Sequence, residues 1–470
     1  MRLICLLFLA CLLLAPPAPG SAQAPLPQDP ELVAERFFTN PLNLNNIGDP
    51  FVLAADGQYF AFATSGGKPF PVWRSDSLQA FGGMRTALRG ADWAYQDFWA
   101  PEVFAWQGGY VMLYSARRQE DQSLRVGIAF AQEPRGPYRD LGRPLFDFGY
   151  AAIDASLFVD DDGAPYLYYA RDCSENLVDG LHESHIYGVR LREDLRDTLG
   201  EPVLLTRPDR LWELHSGSWL WNEGPALLAH QGRYYLFYSA NFYASREYAV
   251  GYAVADHPLG PFEKPADNRL MGYLEQDGAT LISGPGHNAF FMAGEELFTA
   301  YHTHSDPQAP SGVRQMSIGR AGFHADGSPY LNAPALGLVL RPLADLGLVN
   351  ATKTASLKVG SGQGELLRDG DECTASPAYA WQPEAEAAWA QLRWDSPVMA
   401  DCMLLYTPPG QQGEARLSLN AAEPLTLNLG APRQPGEPLI LPFGPLPLSD
   451  LRLELAPGQQ LGEIVVLARP

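Results

Sequence analysis

The chain has 470 residues, 46% of them hydrophobic and 11% aromatic, with 45 Gly and 41 Pro. That composition gives two or three domains enough apolar material for large cores, which excludes wholesale disorder. Asp and Glu outnumber Lys and Arg by 54 to 33, and the net charge of −21 disfavours nucleic acid, anionic membranes and polyuronates as partners, because all three would repel the chain.

The N-terminus comes first. Arg2 precedes an apolar run over 3–15 and then P-P-A-P-G-S-A-Q-A, the charged, apolar and small-residue regions of a secretory signal. Residues 1–22 are therefore read as a signal peptide cut after Ala22, which predicts a secreted or periplasmic protein with no membrane attachment beyond that signal. A lipoprotein reading through Cys11 is disfavoured by the three leucines that follow it. Three cysteines remain. Cys173 is read as structural, and Cys373 and Cys402 are expected either to pair or to stand as two small buried groups.

Five segments then share one design, a turn with Gly leading into an aromatic-rich alternating strand. They begin at residues 57, 108, 163, 232 and 294 and read G-Q-Y-F-A-F-A-T-S, G-G-Y-V-M-L-Y-S-A, G-A-P-Y-L-Y-Y-A-R, G-R-Y-Y-L-F-Y-S-A and G-E-E-L-F-T-A-Y-H. Period-two alternation of Tyr, Phe and Val excludes helical repeats, and units of this length predict blades of about four strands. The expected fold is all-β, a five-bladed β-propeller over residues 35–340. A second strand precedes each segment, and near its start sits one ionisable residue: Asp49, Glu102, Asp154, Glu223 or His287. In a propeller the innermost strands line the central channel, so five equivalent positions would converge on one axial pocket. Carboxylates crowded there push one another's pKa values apart, as an acid and base pair requires. For any one of the five the alternative is a side chain that satisfies buried backbone amides. Glu102 is the readiest candidate for that role or for a substrate hydroxyl contact.

At these residues the sequence resembles the family 43 glycoside hydrolases. The resemblance rests on G-D-P (48–50), W-A-P-E-V (99–103), I-D-A-S-L-F with D-D-D-G (160–163), W-N-E-G-P (221–225) and G-P-G-H-N (284–288), in the family's order. It implies a secreted five-bladed propeller that cleaves plant-type polysaccharide or oligosaccharide with inversion. Asp49 would be the general base, Glu223 the general acid, and Asp154 the carboxylate that tunes the acid and orients substrate. Ala155 stands where the family has proline, a departure that leaves the carboxylate untouched. An inverting site needs roughly 6.5–9.5 Å between base and acid. His287 has two readings. Either it helps hold a hydrated axial calcium through waters, or it hydrogen-bonds Asp154 or the sugar. No cofactor is required, and the resemblance allows a structural or axial Ca2+ or other ion.

Aromatic faces grip sugars, and Trp73, Phe98, Trp99, Trp219 and Trp221 lie near motif starts, where they either wall the pocket or pack between blades. Arg314, in the closing strand, is a candidate sugar contact. His302 and His304 read as structural or rim residues, and D-D-D-G as a hairpin turn. The long segment 172–222 reads as an insertion that walls one side of the pocket, which favours an exo-acting enzyme. Residues 355–470 resemble a discoidin-like β-sandwich (jelly roll) on the D-G turn, the W-A-Q-L-R-W strand and the terminal E-I-V-V strand. Such modules often bind glycans, with Trp381 the expected exposed aromatic; the alternative is a sandwich that braces the propeller. The expected function is that of a monomeric exo-acting α-L-arabinofuranosidase whose partner is its carbohydrate substrate. The alternatives are a β-xylosidase or other glycosidase of the same family, or a non-catalytic glycan-binding propeller.

Overall fold

Near-continuous runs of Tyr, Phe, Val, Leu and Ala give strands buried on both faces, and these stack as blades around an axis. The computed structural model describes residues 30–66, 70–372, 380–384, 386, 388–408, 411–430, 434 and 436–470. Residues 1–22, read above as a signal peptide, and Cys373 lie outside them. Among the described residues, no helix is long and apolar enough to cross a membrane.

Five blades follow one another along the chain. Their inner strands are Gly48–Ala55, Ala94–Trp106, Ala152–Val159, Trp219–His230 and Gly286–Ala293. Each pairs antiparallel with the strand after it, and the first, second and fifth blades are separate four-stranded sheets. The third and fourth blades are joined, because strand Leu181–Leu191 runs past its own blade and pairs in parallel with Trp219–Trp221. Segment 172–222 is thus less of an insertion than its length implied. Leu181–Leu191 and Thr198–Thr206 are the outer strands of the third blade, and only the links on either side of them are extra. The ring closes where residues 42–47 meet the fifth blade: Leu42 N–H donates to Met316 O, Ile47 N–H to Arg314 O, and Met316 N–H to Leu44 O.

Between blades the core is aromatic. Phe98, 1% exposed, packs at 5.8 Å from Phe70 and 5.9 Å from Tyr114. It is interblade core and not a pocket wall, since the pleat turns alternate side chains away from the channel. Trp73 is likewise corrected: it sits on the third strand of its blade, half-buried against the core of the first and fifth blades.

The C-terminal sandwich is built on two long antiparallel strands, Trp389–Tyr406 and Leu439–Leu455, with Glu463–Ala468 beside the first. Trp381 is completely buried in its core, and its indole N–H donates to Ser361 O at 2.9 Å. The expectation of an exposed sugar-binding tryptophan fails here, because the ring fills the sandwich interior and its one polar atom is satisfied by backbone. Cys402 is a buried free thiol beside Arg36. The sandwich grips the fifth blade through a polar seam: Asn332 Nδ2 donates to Gly370 O at 2.9 Å, Glu372 N–H to Asn332 Oδ1 at 2.8 Å, and His324 Nδ1 lies 3.2 Å from Asp369.

Candidate active site

Every inner strand carries the same irregularity. Its ladder skips a residue just after Gly48, Trp99, Ile153, Glu223 and Gly286, leaving two residues opposite one, which is a β-bulge. The first bulge residue is left-handed in all five blades: Asp49 (φ 50), Ala100 (φ 46), Asp154 (φ 57), Gly224 (φ 54) and His287 (φ 51). Asp49, Asp154 and His287 are therefore true equivalents. Glu223 stands one residue before its blade's bulge residue and Glu102 two after it, so the five ionisable groups do not share one register. An aspartate tolerates this backbone better than most side chains, at a cost on the order of 1 kcal/mol.

The bulges are held by hydrogen bonds from blade to blade. Ala100 N–H donates to Thr64 Oγ1 at 2.8 Å, Asp154 N–H to Ser115 Oγ at 2.9 Å, His287 N–H to Ser239 Oγ at 2.8 Å, and Asp49 N–H to His302 Nδ1 at 3.2 Å. Each acceptor lies on the second strand of a blade, opposite the residue that precedes the bulge, and receives its bond from the next blade around the ring. In the third blade this place belongs to Ala170, which has no acceptor side chain. There the carboxylate of Asp154 replaces it, and Gly224 N–H donates to Asp154 Oδ2 at 3.1 Å. Asp154 is thereby tied to the backbone immediately after Glu223.

A pocket of about 470 Å3 opens over this ring, within the usual range for small-molecule sites. Asp49, Asp154, Glu223, His287, Arg314, Trp99, Trp219 and Trp221 all line it; Glu102, Phe98 and Trp73 do not. Burial opposes charge on Asp49, but Arg314, His287, His302 and the Thr64 hydroxyl outweigh it and hold the carboxyl well below the usual carboxylate range. Arg314 Nη1 donates to Asp49 Oδ1 at 2.7 Å, His287 Nδ1 lies 3.3 Å from the same oxygen, and Thr64 Oγ1 donates to Oδ2 at 2.6 Å. Asp49 is ionised. The Arg314 guanidinium lies directly on Gly48, where a Cβ would meet it at 2.1 Å. Arg314 is thus tied to the Asp49 carboxylate while also lining the pocket.

Glu223 is the opposite case. Burial is the largest influence and, with Asp49 and Asp172 nearby, pushes its carboxyl up to about 8, against a lowering hydrogen bond from Tyr248 Oη to Oε1 at 2.8 Å. Burial also pushes Asp154 up to about 7, opposed by His287 and reinforced by Glu223 and Asp49. Glu102 is pushed up to about 8 by burial; it shares a hydrogen bond with Ser156 and lies beside Asp154, away from the pocket. One pocket therefore holds an ionised carboxylate, Asp49, and a carboxyl pushed up toward its protonated form, Glu223, which is the division of labour that acid–base catalysis needs.

Several members had no signal by residue type alone. His302 lies at the floor and not the rim: it is fully buried, stacks on Tyr248 at 5.5 Å, and burial drives its pKa well down, so the ring is neutral. With Nδ1 accepting from Asp49, its proton is on Nε2. His304 holds the pocket-lining Tyr243 through its carbonyl at 2.9 Å. Phe242, Tyr243, Asp172 and Tyr248 join through loops or outer strands, whereas Thr64, Ser115 and Ser239 were findable as a hydroxyl recurring at the eighth place of a repeat.

Both polar atoms of the Asn288 amide, next to His287, are buried without a protein partner, while no group of three His, Cys, Asp or Glu among the described residues is arranged around a metal.

The sequence profile described as "Glycosyl hydrolases family 43" matches residues 38–329. A thermostable family-43 glycoside hydrolase of known structure is 42% identical with a TM-score of 0.60, covering 63% of this chain and 96% of that one. A β-D-galactofuranosidase of Aspergillus niger is 29% identical over 43% of this chain and 56% of its own length. An extracellular exo-α-(1→5)-L-arabinofuranosidase of Streptomyces avermitilis is 25% identical over 67% of this chain and 66% of its own. The chain thus spans under two-thirds of the length of both curated relatives.

Proposed function

The chain belongs to glycosyl hydrolase family 43, and on that premise we propose that it is an exported, inverting exo-glycosidase that removes α-L-arabinofuranosyl units from neutral polysaccharide or oligosaccharide. The observation that carries this reading is the pairing of ionised Asp49 with protonated Glu223 in one pocket. Glu223 donates its proton to the leaving oxygen as the glycosidic bond breaks. Asp49 takes a proton from the water that attacks the anomeric carbon on the opposite face, so one displacement inverts the centre. Arg314, His287 and Thr64 orient the base and keep it charged, and Asp154, anchored on Gly224 N–H, holds the backbone that carries the acid. A bound hydrated calcium would be held by His287 and Asn288 through water and would supply positive charge beside these carboxylates. The furanosyl preference is supported by two of the curated relatives, which are named as furanosidases. Export is supported by the N-terminal leader and by the extracellular relative.

A panel of nitrophenyl α-L-arabinofuranoside, β-D-xyloside and β-D-galactofuranoside tests the sugar. We expect the arabinofuranoside to be hydrolysed fastest, with the β-anomer appearing first by proton NMR. First release of the α-anomer would rule out the single displacement, and faster xyloside turnover would reassign the sugar.

Protonation of Glu223 has a consequence for stability. Its carboxyl titrates at about 8 when folded against an ordinary value of 4.5. Between those values the folded protein holds a proton that the unfolded chain has released, so folding stability falls as pH rises through the window. Glu223→Gln lacks this penalty. Calorimetry should show it melting several degrees above the parent at pH 9, with the gap closing toward pH 5. Equal melting temperatures at both pH values would mean that Glu223 is not protonated at neutrality.

A further inference from the structure

The acid's own strand extends out of the pocket. On Trp219–His230 the side chains of 219, 221 and 223 share one face, because alternate residues of a strand point the same way. Leu220 and Asn222 on the other face are buried. From Glu223 outward the two indoles follow in line, 6.4 Å between ring centroids and 23° apart in plane. That spacing is close to the length of one sugar residue. The line is braced on both sides. His182 stacks on Trp219 at 3.9 Å and 4°, fixed by its Nδ1 contact with Cys173 O at 2.9 Å, and Phe242 packs on Trp221 at 5.4 Å. Trp219 and Phe242 nevertheless remain 40% and 41% exposed. Exposed aromatic rings held rigidly beside a polar pocket form a platform for the apolar C–H faces of sugars, with little ordering cost on binding.

We propose that Trp221 and Trp219 form the leaving-group side of the site, and that they hold at least two sugars of a neutral chain beyond the bond being cut. The direction follows from the chemistry: the acid must touch the leaving oxygen, so the departing sugars lie on the side of Glu223 where its strand carries the two indoles. The inference rests on the hydrolase reading and adds its substrate class, a glycosyl unit attached to an oligosaccharide or polymer in preference to a small glycoside. Trp219 is a specificity-determining residue that does not reach the reacting atoms.

The test compares a neutral arabino-oligosaccharide with the nitrophenyl glycoside of the same terminal sugar. Trp219→Ala is expected to raise KM for the oligosaccharide about tenfold, with kcat within threefold, and to affect the nitrophenyl glycoside at least fivefold less. Trp219→Phe, which keeps a flat ring, should recover most of the loss, and Phe242→Ala should reproduce part of it. Equal KM changes on both substrates, or none, would overturn the platform. The acid variant Glu223→Gln reads the platform without turnover: adding Trp219→Ala should weaken oligosaccharide binding at least fivefold by calorimetry, and unchanged affinity would overturn it. A parent enzyme that hydrolyses neither substrate while still binding the oligosaccharide through Trp219 would instead sink the hydrolase reading alone.

Discussion

Glu223→Gln is expected to lower kcat on an arabino-oligosaccharide by about a thousandfold, while turnover of a nitrophenyl glycoside falls far less. The asymmetry is the signature of a general acid. A sugar alkoxide is a poor leaving group that needs a proton, whereas nitrophenolate departs readily without one. Asp49→Asn should behave differently, costing about a thousandfold on both substrates, because activation of water is required whatever the leaving group. The structure adds a reason for the severity of the second change. Arg314 Nη1 at 2.7 Å and His287 at 3.3 Å are gathered around one oxygen of Asp49, and a neutral amide there leaves a buried cation without its counter-charge. Steady-state kinetics on the two substrates separates the roles. Equal losses for Glu223→Gln on both would remove it as the acid, and an Asp49→Asn enzyme within tenfold of the parent would remove the base.

The largest effect on stability should come from outside the pocket, at Lys264→Met. Lys264 Nζ donates to both oxygens of Glu213 at 2.9 and 2.8 Å, and also to Asn222 Oδ1 at 3.1 Å. The two side chains are 5% and 0% exposed, and Tyr238 Oη donates a further bond to Glu213 at 2.5 Å. Removing only the ammonium leaves a carboxylate in the protein interior, which costs about 3–5 kcal/mol. Lys264→Met with Glu213→Leu removes both charges and should recover most of that, since a buried pair is worth little more than well-packed apolar groups. Denaturant unfolding followed by tryptophan fluorescence measures both variants. A loss below about 1 kcal/mol for the single variant would show that water reaches Glu213. The cluster also bears on the site, because Asn222 immediately precedes Glu223.

The all-β character, the five repeats, and the three carboxyl groups that meet in the pocket, Asp49, Asp154 and Glu223, were legible in the sequence, because strand period and repeat spacing are local properties of the chain. A segment such as G-R-Y-Y-L-F-Y-S-A can bury both faces only in a stack of sheets, and five such units close a ring. Alternation states that neighbouring side chains point to opposite faces, but not which face meets the channel. Phe98 and Trp99 are adjacent, yet one is interblade core and the other lines the pocket. The bulge sharpens this, since one extra residue shifts the phase, and that is why Asp49, Asp154 and His287 are equivalent while Glu102 and Glu223 are not. Trp381 passed for a surface aromatic because nothing local distinguishes a rim tryptophan from one that fills a sandwich. Closure of the ring decided the rest. It brings Arg314 and His302 to Asp49 from more than 250 residues away, and around the ring it leaves Gly224 N–H opposite Ala170, so that Asp154 must accept its bond. The sequence determined which groups were available for acid–base chemistry. Tertiary structure alone decided their charges, because those depend on burial and on neighbours that meet only when the first blade closes on the fifth.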